Sequence, residues 1–154
     1  MSIAEKILLS LHIVAGSVWV GSVFMGAFID VPSAEGSVEK GKFPFKFVIG
    51  QGRRVFYSVY FGIIQLWGTG IGLFIVHPPT NTIETRLFLG KTFCLLIMTL
   101  FTFYGTFYTW PKMQLATHKE AFRLHKYYNY RAYGTFTCGI MALLLTLWFY
   151  IYNL

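Results

Sequence analysis

Four apolar stretches, residues 7–29, 55–76, 87–110 and 132–152, set the terms for any fold of this chain. Each can cross a hydrocarbon core about 30 Å thick, which takes roughly 20 helical residues. In lipid every backbone N–H and C=O needs a partner within the protein, and a helix provides one inside a single segment. The 154 residues have a mean hydropathy of +0.55 and are 55% hydrophobic and 12% charged. A soluble domain of this size cannot hide that much apolar surface. The chain therefore reads as all-α, an integral membrane four-helix bundle forming one domain over residues 1–154.

The first run is too long for the core of a secretory signal. Its basic start is only Lys6 beside Glu5, and Gly26-Ala27-Phe28 is a poor cleavage site, so it is expected to stay in the protein. Cys94 and Cys138 fall inside spans with no CxxC pair, which favours small buried side chains over a disulfide or zinc framework.

The net charge of +7 is unevenly placed. Lys40, Lys42, Lys46, Arg53 and Arg54 sit in or beside the first long connection. Lys112, Lys119, Arg123, Lys126 and Arg131 sit in the second, leaving Lys6, Arg86 and Lys91 on the opposite side. The positive-inside rule then puts both long connections in the cytoplasm and both termini outside, as in a bacterial inner membrane protein. Lipid headgroups, not nucleic acid, are the implied partner of this charge.

Helical spacing places His12, Gly16, Trp19, Val23 and Gly26 on one face of the first span, turned inward. Leu8, Ile13, Val18, Phe24 and Phe28 occupy the rest. Asp30-Val31-Pro32-Ser33 breaks the periodicity, and Phe43-Pro44-Phe45-Lys46-Phe47 reads as a segment at headgroup level. The second span offers Tyr57, Phe61, Gln65, Gly68 and Gly72 as its stripe, with Gly68 and Gly72 as a GxxxG contact that suits the bundle interior or a homodimer. Gln65 needs a hydrogen-bond partner at mid-membrane. In the third span Lys91, Leu95, Met98, Thr102, Gly105 and Thr109 share the inward face, and Lys91 either snorkels to the interface or is buried for a function.

Trp110-Pro111 is expected to end that span. An amphipathic surface helix follows, with Leu115, His118, Phe122 and His125 on one face. His118 and His125 are about 10 Å apart along a helix, too far to share one metal ion, and read as interfacial. Tyr127, Tyr128, Tyr130 and Tyr133 form an aromatic belt around Arg131, and Trp148, Tyr150 and Tyr152 anchor the outer end of the fourth span.

The spans hold no paired carboxylates, which argues against hydrolytic acid–base chemistry and a hard-metal site. An ionisable group inside the membrane is a functional-site hypothesis by default. His12 is that group, with Trp19, Gln65, Lys91 and Met98 as its possible neighbours; a bond to a facing carbonyl is the bland alternative. A neutral imidazole suits the axial position of haem iron, and adjacent glycines make room for a porphyrin. Copper is the other metal candidate at His12, although Met25, Met98 and Met141 are scattered where copper(I) prefers thioether clusters. No other span contains a histidine, so a haem here has His12 with Met98, Lys91 or an open position opposite.

Leu11-His12 and Trp19-Val20-Gly21 together resemble the LHxxxxxxWxG signature of the copper-resistance D-type superfamily, which includes the four-helix, haem-binding protoporphyrinogen oxidase of bacteria. Arg53-Arg54 before the second span, Gly70 within it, Lys91 early in the third and Arg131 before the fourth follow the same order. The resemblance implies a haem b on His12, with Lys91, Arg53 and Arg131 as partners of porphyrin carboxylates. The chain departs from that oxidase at Asp30-Val31-Pro32-Ser33 and at Tyr128-Asn129-Tyr130-Arg131, so the resemblance extends to scaffold and haem rather than to porphyrinogen oxidation. Two other functions remain open on the residues: a cofactor-free accessory subunit of a larger respiratory or photosynthetic complex, and copper transport or tolerance.

Overall fold

The computed structural model describes residues 2–36, 39 and 41–152, with side chains except at 31, 34, 35 and 149–152. Lys40 and the side chains of Tyr150 and Tyr152 lie outside the described residues. Among these residues the fold is all-helical. Helix α1 (Ile3–Phe24) continues through a π turn (Met25–Asp30) into the short α2 (Val31–Gly36). Helix α3 (Phe45–Val76) returns. Helix α4 (Thr82–Tyr104) continues through a second π turn (Gly105–Thr109) into the short α5 (Trp110–Gln114), and α6 (His118–Tyr152) closes the fold.

Three of these assemblies, Ile3–Asp30, Phe45–Val76 and Thr82–Gln114, are long and apolar enough to cross a membrane. Helix α6 packs beside them but carries its charges in its first half.

The helices outrun the apolar stretches because polar caps start them early. Ser2 and Glu5 form a reciprocal capping box at the head of α1. Asn81 accepts the Glu84 N–H at 2.8 Å at the head of α4. Helix α3 begins directly after Pro44 and absorbs Phe45-Lys46-Phe47 as well as Gly50-Gln51-Gly52. The amphipathic segment and the fourth apolar run are one continuous helix.

Pro32 and Pro111 do not end their helices as the sequence suggests. Each is the second residue of a short helix that directly follows a π turn. A proline lacks the N–H for an i→i−4 bond, and its ring clashes with the carbonyl four residues back. Those carbonyls belong to Phe28 and Phe107, both inside the π turns. The chain widens there instead of breaking: Trp110 N–H donates to Gly105 O, five residues back.

Helix α1 packs closely on α3 and on α6, and α4 on α6. Helices α3 and α4 meet through long side chains, with Tyr60 against Phe103 and Phe107 and Phe74 stacked on Phe88 at 4.9 Å. The central core is Ala15, Trp19, Val59, Ile63, Leu66 and Met98. The inward stripe of α1 holds, and so does that of α4, where Met98, Gly105 and Thr109 are buried.

The stripe of α3 is turned from its expected face. Tyr57 is 75% and Phe61 67% exposed, and Gly68 faces open space. Val59, Gly62, Leu66 and Thr69 point inward instead. The close small-residue contact with α1 is made by Gly62, whose absent Cβ would stand 3.6 Å from Ala15 O. Gly72 does contact α1, receiving Leu8. Aromatic and glycine residues are as acceptable to lipid as to a packed interior, so residue type alone misassigned the face.

A second cluster of Phe43, Val48, Met113 and Ala121 closes the end that carries the long connections. Phe43 is therefore buried rather than at headgroup level. Its N–H donates to His118 Nδ1 at 2.8 Å, tying the connection to α6.

Candidate functional site

The bundle has two polar regions. Toward the termini, His12 on α1 is half-buried with its ring beside α3, where the absent Cβ of Gly70 would be 3.6 Å from Cε1. His12 Nδ1 lies 2.8 Å from Thr69 Oγ1. The Thr69 hydroxyl donates to Gln65 O at 2.6 Å, so its proton is committed and the imidazole must donate from Nδ1. That fixes the tautomer and leaves the Nε2 lone pair unused. Lys91 is half-buried on α4 at the same end of the bundle. Gln65 takes part through its backbone carbonyl. Met98 lies in the central core with its methyl toward α6, where the absent Cβ of Gly139 would be 3.5 Å away. A second relay at this end runs from Trp67 Nε1 to Thr99 Oγ1 at 3.2 Å and on to Leu95 O at 2.7 Å.

Toward the long connections, a cavity of about 150 Å³ opens among α1, α3, α4 and α6. Both π turns border it, through Gly26 and Ala27 on one side and Gly105 and Thr106 on the other. At Gly105 the absent Cβ would stand 3.2 Å from the Tyr128 ring, so glycine lets that ring pack closely on the π turn. Trp110 closes one wall by lying directly on Gly52, so close that no side chain fits between them.

Four polar atoms of cavity-lining residues are buried without a hydrogen-bond partner: Trp19 Nε1, Tyr60 Oη, Asn129 Oδ1 and Arg131 Nε. Trp19 is fully buried, at 0% exposure. Buried polar groups are nearly always bonded, and each exception asks for a reason. Arg131 is held in place by donating from Nη2 to Thr109 Oγ1 at 2.5 Å and by lying 4.7 Å over the Tyr104 ring. His125, 3% exposed, also lines the cavity and stacks parallel to Tyr128. No known protein family, characterised protein or solved structure matches this chain.

The structure thus divides the sequence-derived candidates. Trp19 and Arg131 come together at the cavity. His12, Gln65 and Lys91 gather at the other end, and Met98 lies in the core between. Arg53 is exposed beside a shallow recess it shares with Gly52, Phe56 and Trp110. Tyr60, Asn129 and the buried setting of His125 were missed. One signal was present: Ala121, His125, Tyr128, Ala132 and Thr135 repeat at spacings of four, three, four and three, the pattern that identified the inward face of α1. His125 is accordingly a core residue and not an interfacial one.

A porphyrin does not fit the cavity, which is smaller than the roughly 300–1,000 Å³ of a drug-sized pocket. His12 is not among its lining residues. Among the described residues, no group of three or more His, Cys, Asp or Glu side chains converges as a metal site.

Proposed function

We propose that this chain is an integral membrane protein that binds a small hydrogen-bonding molecule within its bundle. The observation that carries the reading is a cavity of about 150 Å³ whose lining residues include Trp19, Tyr60, Asn129 and Arg131, each with a buried polar atom that has no partner among the described residues. Leaving such groups unpaired costs about 1–3 kcal/mol each, a cost that a bound molecule with complementary groups removes. In this reading α6 is the fourth span, and the basic connections put the cavity end on the cytoplasmic side of a bacterial inner membrane. A thermal-shift screen of small polar compounds on the detergent-purified chain tests it. Stabilising compounds should lose their effect in Ser22→Leu, which fills the cavity from α1. Stabilisation that survives the filled cavity would show that the binding site is elsewhere.

A second reading concerns the opposite end. The committed Thr69 hydroxyl presents the His12 Nε2 lone pair as a ligand, and an imidazole that donates its other N–H is the usual arrangement at metals. His12 would then hold a haem b against α1, α3 and α4, supplying one-electron chemistry, with Lys91 toward the haem carboxylates. A reduced-minus-oxidised spectrum with a b-type band that disappears in His12→Ala supports this. Stoichiometric protein without that band rejects it.

A further inference from the structure

Resting on the cavity-binding role above, we propose that the ligand is a small carboxylate with a flat apolar body. The chemistry of the lining leads there. Trp19, Tyr60 and Arg131 line the cavity, and all three side chains carry hydrogen-bond donors. Arg131 is a permanent cation that meets the Thr109 hydroxyl and the Tyr104 ring, and no Asp or Glu lines the cavity. Arg131 is partly buried, and a ligand carboxylate is the group whose geometry its planar fork matches.

The rest of the wall selects the body. Phe56, Phe101, Trp110 and Tyr128 supply flat aromatic surfaces. A cavity of this order has room for a single six-membered ring. Asn129 also lines the cavity, and its amide favours a ligand bearing a hydroxyl or amine as well.

The recess outside the Trp110–Gly52 wall is bordered by Arg53, and it shares Gly52, Phe56 and Trp110 with the cavity. A second cation there adds to the positive potential around the cavity.

Benzoate, benzamide and benzylamine separate charge from shape, because all three carry the same ring. Titrated into the full chain in neutral detergent and followed by isothermal calorimetry, benzoate should bind at least tenfold more tightly than benzamide, with benzylamine weakest. Arg131→Gln should reduce benzoate affinity far more than benzamide affinity, bringing the two to within about twofold of each other. Should that variant not fold, the comparison of the three ligands on the native chain decides alone. Equal binding of benzoate and benzamide, abolished in Ser22→Leu, overturns the carboxylate class but keeps the cavity role. Chloride or phosphate competing as well as benzoate also overturns it, in favour of a simple anion site. Saturable binding of none of the three overturns both.

Discussion

The two polar regions of the bundle contain the same kinds of side chain and treat them in opposite ways. At the termini end, His12 donates to Thr69 and Thr69 to the Gln65 carbonyl; Trp67 donates to Thr99 and Thr99 to the Leu95 carbonyl. Both relays close on the helix backbone, which in an apolar surrounding removes the cost of each buried donor. At the loop end, Trp19 is more deeply buried than Trp67 yet its N–H has no acceptor, and Tyr60, Asn129 and Arg131 are each left with an open valence. A protein that satisfies one indole and leaves another open nearby has no general shortage of acceptors. That contrast is what supports the proposed binding role, since departures from self-consistency concentrate at binding sites.

The sharpest test of this contrast is Trp19 itself. Trp19→Ala removes the largest fully buried side chain and should cost about 3 kcal/mol in a reversible unfolding titration in mixed micelles. Trp19→Phe keeps most of the packing and deletes only the unpartnered donor, so stability should hold or rise while ligand binding falls. Unchanged ligand binding in Trp19→Phe would mean that the indole N–H takes no part in the site.

Thr69→Val is the matching cut at the other end. It strands His12 Nδ1 and should cost about 1.5 kcal/mol, with cavity ligands binding as before. Were binding to fall with it, the two regions would not be independent.

Pro111→Ala tests the origin of the cavity. Restoring the i→i−4 donor should let the Gly105–Thr109 turn tighten and weaken ligand binding about tenfold, roughly 1.4 kcal/mol, without lowering thermal stability. Unchanged binding would separate the cavity from the prolines. The smallest effect is expected at Gly68→Ala. That position is open and helical, so the chain should gain about 0.5 kcal/mol, whereas a GxxxG contact there would turn the change destabilising.

Helix content, three of the four apolar spans, the inward faces of α1 and α4, and the departure of His12 from its surroundings were all legible in the residues. Hydrophobic period and length fix these locally. The polar face of α3 was not, because in a membrane aromatic and small residues serve lipid and interior alike. His125 was misplaced because its charge-rich neighbours Lys119, Arg123 and Lys126 suggested a surface, when Ala121 and Tyr128 on its own face were the better guides.

What the sequence determined alone is therefore a set of apolar helices with a charge bias at one end, since both depend only on what each segment carries. Pro32 and Pro111 were also visible in it, but as stops. Only the tertiary structure turned them into widened turns set across from each other, because a cavity belongs to no segment. It depends on which carbonyls the prolines displace, which helices stand opposite, and which buried donors then find nothing to bond.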